Sequence, residues 1–315
     1  MYTAVRMAPA FRRKNHRSAV AGVALLPLLL GCEPNLVVGT WQSDAVVGGG
    51  VGGGGGGAGG GGAGTGGGGA GGSGGATDVG CEADGGDRGM MPDTGPVAPN
   101  WSTGFENALC DYTSVAGFCY KDKGASYEIV TAPVHSGNYA AAFNIQADNM
   151  LNGMPAQTQT RCVRQGVLPE AAYYSAFFYI PAAPTAANNW NLIHFRAGTG
   201  GSQHGLWDVS LAHQADGKFR VYVYDFLRTR TRNTTVVPAV PIGAWFQLEV
   251  YWKRATDATG EFTVWQDGEV ALSLDSLTTD EDSTYEQWFV GNLAISLTPP
   301  DSVVYVDDVS ISDAP

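Results

Sequence analysis

From Ser126 to Ser312 the chain carries twelve short runs rich in aromatic and β-branched residues, separated by turn signals, and none of them has a helical period. They cover 126–130, 138–146, 157–165, 172–180, 190–198, 206–214, 218–226, 245–255, 261–268, 269–276, 288–297 and 302–312. Strands of this length, with no helices between them, bury their apolar sides only by pairing into packed sheets or a closed barrel. The expected fold class is therefore all-β, with one domain over 100–315. That span of roughly 215 residues is enough for a sizeable core.

The segment upstream is of another kind. Residues 46–80, "VVGGGVGGGGGGAGGGGAGTGGGGAGGSGGATDVG", have almost no side chains to bury, so nothing offsets the conformational entropy of ordering them. We read 32–99 as a disordered Gly-rich linker, a flexible tether with a span of ~45 Å. Arg6, Arg12, Arg13, Lys14 and Arg17 precede an apolar stretch at 19–30. This stretch is too short to cross a ~30 Å hydrocarbon core and reads as a secretory signal peptide over 1–31. Leu29-Leu30-Gly31-Cys32 resembles the bacterial lipobox, which implies lipidation of Cys32 and an exported, membrane-anchored lipoprotein at the outer membrane or cell surface.

Setting Cys32 aside leaves Cys81, Cys110, Cys119 and Cys162, an even number that suits disulfides in an oxidising compartment. Three pairings are open. The short Cys110–Cys119 loop is the preferred bridge, with Cys81 left to Cys162. No C-x-x-C pair or Cys/His cluster points to zinc. The net charge of −12 excludes a basic surface for nucleic acid.

Asp216-Gly217 reads as a two-residue type I′ turn. That register places Trp207, Val209, Leu211 and His213 with Tyr222 and Tyr224 on one face, and Phe219, Val221 and Val223 in the core. In the strand from Trp245, the residues Phe246, Leu248, Val250 and Trp252 alternate with Trp245, Gln247, Glu249, Tyr251 and Lys253. Near residue 190, Ile193 and Phe195 alternate with Trp190, Leu192, His194 and Arg196. Three strands thus set aromatic rings among amide and charged groups opposite an apolar face. This pattern suits sugars, whose C–H faces stack on rings while their hydroxyls take hydrogen bonds. The expected carbohydrate-binding residues are Trp190, Arg196, Trp207, Tyr222, Tyr224, Trp245, Gln247, Glu249 and Tyr251, gathered on one concave face.

The segments "GFENALCDY", "SYEIVTAPVHSGNYAAAFNI", "AYYSAFFYIPA", "WNLIHFRAG", "GAWFQLEVYWKR", "GEFTVWQDGEVAL" and "VYVDDVSIS" resemble the concanavalin A-like jelly roll. The likeness is greatest to its polysaccharide lyase and laminarinase-like members and covers most of 104–312. It implies an antiparallel jelly-roll β-sandwich that handles polysaccharide. Alginate-type lyases of this fold carry R-x-E-x-R, Q-x-H and Y-x-K-x-G-x-Y segments. Here Arg161 and Arg164 lack the acid between them, Leu192 stands where the glutamine precedes His194, and Leu293 replaces the last tyrosine after Gly291. His194 with Tyr222 or Tyr251, and Arg161, are the residues left to perform elimination. The E-x-D-x-x-E segment that laminarinase-like hydrolases use is missing. In similar carbohydrate modules the first and last strands hold a structural Ca2+, which makes Glu106, Asp307 and Asp308 candidate ligands; no other cofactor is required. The sequence therefore leads first to an envelope-anchored, lectin-like polysaccharide-binding protein, with Arg161, Arg164 and Arg196 favouring an acidic polymer. The alternative is a lyase acting on a uronate-containing polysaccharide, and the third reading is a non-catalytic adhesion or structural protein.

Overall fold

A computed structural model describes residues 95–113, 117–199, 202–233 and 238–315. The signal peptide, Cys32, Cys81 and the linker as far as residue 94 lie outside the described residues. In chain order the strands are β1 (Trp101–Thr103), β2 (Gly117–Lys121), β3 (Ala125–Val130), β4 (Ala140–Gln146), β5 (Met150–Leu151), β6 (Met154–Pro155), β7 (Thr158–Gly166), β8 (Ala171–Tyr179) and β9 (Ala186–Thr199). They continue with β10 (Ser202–His213), β11 (Phe219–Asp225), β12 (Arg230–Asn233), β13 (Trp245–Lys253), β14 (Gly260–Gln266), β15 (Glu269–Leu277), β16 (Tyr285–Thr298) and β17 (Asp301–Ser312). Each of the twelve expected runs is a strand. The other strands are short, and the only helices among the described residues are a four-residue turn at Cys110–Thr113 and a 3-10 turn at Phe226–Arg228.

One sheet has the order β15-β14-β13-β8-β17-β4-β3, with β1 also on β17; the other runs β12-β11-β10-β9-β16-β7-β2. Because the chain passes back and forth between the two sheets, every pairing within them is antiparallel and the architecture is a jelly-roll sandwich. Their inner faces form one apolar core. Ile193, Phe195, Val221, Val223, Leu248 and Val250 are all buried in it, as alternation requires.

The Asp216-Gly217 hairpin departs from the expected geometry. His213 pairs with Phe219 and Val209 with Val223, so the loop contains three residues, 215–217, and Gly217 alone has positive φ (80°). A type I′ turn needs positive φ at both central residues, whereas a three-residue loop needs it only at the last. The extra residue shifts the register by one and exchanges the faces of β10. Trp207, Val209 and Leu211 therefore point into the core, and Asp208 and Ser210 face outward with Tyr224 and Tyr222. Trp207 is not a sugar platform. It is fully buried, stacked on Phe262 at 4.2 Å, and donates its indole N–H to the Thr279 carbonyl.

Trp190 is a core residue for a different reason. Asn191 pairs with Ser210 and Ile193 with Val209, so Leu192 is an extra residue in β9, a β-bulge. The bulge breaks the alternation, turning Trp190 into the core, where its indole donates to Asn292 Oδ1 at 3.0 Å.

The expected Cys110–Cys119 bridge does not form. Cys119 is joined to Cys162, its direct cross-strand partner between β2 and β7. Strand β2 is what the sequence reading lacked, and without it these two cysteines could not be set opposite each other. Cys110 is itself disulfide-bonded, so its partner is neither of them.

Candidate active site

The outward face of the β11-β10-β9-β16-β7-β2 sheet is organised as rows running across the strands. One row is Phe118, Val163, Phe289, His194, Asp208, Tyr224 and Thr231, each the pairing partner of the next. On one side lies a row with Gln165, Gln287 and Arg196. On the other, Tyr120 pairs with Arg161 and Arg161 with Gly291, while Asn191, Ser210 and Tyr222 continue the line. Although they face outward, Arg161, His194, Asp208 and Asn191 are almost entirely buried among one another, and Tyr222 and Tyr224 retain a small exposed margin.

His194 is the centre of this arrangement. Its Nδ1 lies 2.5 Å from Asp208 Oδ1, and its ring is flanked by Phe289 at 5.2 Å and Phe226 at 5.8 Å. An Nδ1–H donated to the carboxylate selects the tautomer in which Nε2 carries the lone pair. Burial moves the imidazole pKa down to about 4, helped by the Arg196 and Arg161 charges and opposed by Asp208, so the ring is neutral near pH 7.

Arg161 donates to Asn191 Oδ1 at 2.6 Å, and Asn191 in turn donates to Ser210 Oγ at 3.1 Å. The guanidinium groups of Arg161 and Arg196 each lie 5.7 Å from the Phe289 ring, so two positive charges bracket the histidine. Gly291 makes the approach of β7 possible. A Cβ there would stand 2.5 Å from the Thr160 carbonyl oxygen and 2.8 Å from Arg161 Cα, and its φ of 149° suits glycine. Arg161 Nε, Arg196 Nε and Gln287 Oε1 are buried with no hydrogen-bond partner. Buried polar atoms are rarely left so, and three on one face mark a place where a polar ligand or water completes the bonding. The tyrosines complete the set: burial raises the Tyr222 and Tyr224 pKa values, and the Tyr222 hydroxyl is hydrogen-bonded to Ser210.

Only part of the expected site assembles here. Arg161, His194, Arg196, Tyr222 and Tyr224 share this face. Trp245, Gln247, Glu249 and Tyr251 do not, because β13 belongs to the other sheet and these side chains point outward from the far side of the sandwich. Tyr251 therefore cannot act with His194; it packs on Tyr173 at 4.9 Å. Arg164, three residues from Arg161 and so on the opposite face of β7, lies over Trp101 at 4.4 Å and donates to the Tyr112 carbonyl. Asp208, Asn191, Gln287 and Tyr120 were missed. Asn191 brings an amide to the row beside His194, where Leu192 could not, and the bulge that brings it round has no signature in the alternation of the sequence.

The Glu106, Asp307 and Asp308 carboxylates hold a loop. Glu106 accepts from the backbone N–H groups of Asn138 and Tyr139; Asp307 accepts from those of His135 and Ser136; Asp308 meets His135 Nδ1 at 2.6 Å and the Ser136 hydroxyl at 2.8 Å. Among the described residues, no group of three or more His, Cys, Asp or Glu is arranged to hold a metal ion. His204, in β10, pairs with Glu281 at 3.0 Å on the surface.

Several solved structures are similar to this chain. The endo-β-1,4-glucuronan lyase of the fungus Trichoderma reesei aligns at 20% identity over 62% of this chain and 90% of its own, with a TM-score of 0.49. The cellulose induced protein Cip1 aligns at 16% identity over 68% of this chain and 97% of its own, TM-score 0.46. The PL-14 alginate lyase of Aplysia kurodai aligns at 12% identity over 67% and 97%, TM-score 0.45. None of the curated proteins matches the chain. The family model described as "Polysaccharide lyase" matches residues 93–310, which takes in both sheets and every residue of the His194 face, and the chain belongs to that family.

Proposed function

We propose that the protein is a polysaccharide lyase that cleaves a uronate-containing polymer by β-elimination at the His194 face. The lectin-only reading that the sequence put first gives way to its alternative. The observation that carries this is the neutral, buried His194, fixed by Asp208 and bracketed by Arg161 and Arg196 among unpartnered polar atoms.

Elimination needs the uronate carboxylate neutralised, a base for the C5 proton and an acid for the leaving oxygen. The two guanidinium groups supply the first, with Arg161 held in place by the Asn191 carbonyl. Nε2 of His194 takes the C5 proton, the C–H electron pair becomes the C4–C5 double bond, and the C4–O4 bond breaks. A phenol from Tyr222 or Tyr224 protonates the departing oxygen. Burial keeps the phenols protonated and the imidazole unprotonated, so the same environment drives the acid and the base to opposite assignments. Hydrolysis by a retaining glycosidase needs two carboxylates ~5.5 Å apart. Among the described residues of these three rows Asp208 is the sole carboxylate, and it is already engaged with His194. Lipidation at Cys32 would hold the enzyme at the cell envelope on its Gly-rich tether, within reach of polymer outside the cell.

The pH dependence tests the assignment. The active form of His194 is neutral and its pKa is lowered to about 4, so kcat/KM for unsaturated product should stay level as pH falls through the ordinary histidine range and decline only toward pH 4. An acid limb centred at the ordinary histidine value of ~6.5 would exclude His194, in the environment described, as the base.

A further inference from the structure

The second outward face, on the β17-β8-β13-β14 side of the sandwich, has no part in the elimination, yet it too carries aromatic rings. At one end Trp245 and Tyr179 lie 5.6 Å apart, with His135 stacked on Phe177 at 3.6 Å beside them. At the other end Tyr173 packs on Tyr251 at 4.9 Å and on Trp265 at 6.0 Å. Tyr173 and Tyr179 are six positions apart on β8, so the two groups are about 20 Å apart at ~3.3 Å per residue. The ground between them is polar. Gln247 Nε2 donates to Ser175 Oγ at 2.8 Å, Glu249 stands beside them, and a cavity of about 360 Å³ opens there, lined by Ser175, Phe177, Gln247 and Asp308 among others.

We propose that this face is a second carbohydrate-binding site, distinct from the His194 face, and that it takes a neutral polysaccharide segment laid along β8 and β13. Ring clusters at two ends of a polar, hollowed middle match a sugar chain, whose apolar C–H faces alternate with hydroxyl edges. Charge decides the class of sugar. Arginines bracket the His194 face, whereas this cavity is bordered by Asp308, Glu249 is the strand partner of Ser175 on the same face, and Lys253 is already paired with Glu261 at 3.0 Å. An anionic polymer is repelled here and a neutral one is not. The same charge, in a chain of net −12, opposes covering the face with a second copy of the protein. Such a protein would hold on to a neutral matrix polymer while cutting an acidic one.

The test is affinity gel electrophoresis of the full chain in gels containing hydroxyethylcellulose, a soluble galactomannan or polyglucuronate, with thermal unfolding of every variant as the check on fold. The proposal predicts retardation by at least one of the neutral polymers. Trp245→Ala and Tyr251→Ala should each weaken it by ~10-fold, as the loss of a ring anchor does, and His194→Gln should leave it unchanged. Retardation by neither neutral polymer would overturn the proposal, as would equal retardation of wild type and both ring variants. A dimer in sedimentation that is lost in Trp245→Ala would also overturn it, since the face would then be covered by a second copy. The readout requires no turnover, so a failure of the lyase reading, seen as absence of unsaturated product from polyuronate, leaves this result standing.

Discussion

His194→Gln should lower kcat for unsaturated product by ~10²- to 10⁴-fold while polymer affinity changes little, the loss expected when a positioned base is removed from the transition state. Glutamine is the informative replacement. Its amide can still donate to Asp208, which is 3% exposed and would otherwise be left buried without its partner. His194→Ala removes both roles and should add a stability loss of ~1 to 3 kcal/mol to the catalytic one. Thermal unfolding separates the two effects. An active His194→Gln protein would move the base to another group and leave the Asp208 pair a structural contact.

Trp207→Ala should destabilise the fold by ~3 to 5 kcal/mol, the range for emptying a fully buried aromatic site. The indole is stacked on Phe262, and its N–H is one of two that the Thr279 carbonyl accepts, Trp252 supplying the other at 3.2 Å. Losing it opens a cavity between the sheets and breaks a bond that ties β10 to the 278–284 segment. The measurement is chemical denaturation with binding followed in parallel. A stable variant that has lost only its affinity for polysaccharide would restore the sugar-platform reading and the two-residue turn behind it.

That contrast shows how much of the architecture was legible. Twelve strands, the all-β class and the core parity of β13 follow from alternation alone, because a sheet with one buried face fixes which residues point inward, while the choice of a sandwich over a barrel rested on the resemblance. Two Asp-Gly pairs then read alike in sequence and fold differently. Asp267-Gly268 is a true two-residue turn, with φ of 52° and 78° joining Gln266 to its partner Glu269. At Asp216-Gly217 only the glycine has positive φ, and the Asp216 carboxylate accepts from the Lys218 backbone N–H and the Arg220 guanidinium, which suits the longer loop. One residue of register separates a tryptophan core from a tryptophan platform. The bulge at Leu192 is invisible for a similar reason, since the residue that breaks the pattern is itself apolar. Which sheet receives β13 is set by long-range pairing with β8, and face composition alone could not distribute Tyr222 and Tyr251 between opposite sides of the molecule.

The residues proposed for catalysis divide in the same way. His194 and Arg161 were singled out because a resemblance named their roles, and Tyr222 because alternation along its strand set it opposite the core. Asp208 was not found, because the mistaken turn placed it on the inner face, where an aspartate has no evident use. Once the register is corrected it stands directly across from His194, and the pair becomes the most sharply defined feature of the site.

The reaction class itself is open to one direct measurement. Purified protein is incubated with polyglucuronate and polymannuronate in heavy-oxygen water, and the oligosaccharides released are weighed by mass spectrometry. Elimination breaks the C4–O4 bond without taking an oxygen atom from solvent, so the account predicts unsaturated products free of the label. Saturated products carrying heavy oxygen at the new reducing end would show hydrolysis, and no new chain ends from either polymer would leave a binding protein; both results contradict a lyase at the His194 face.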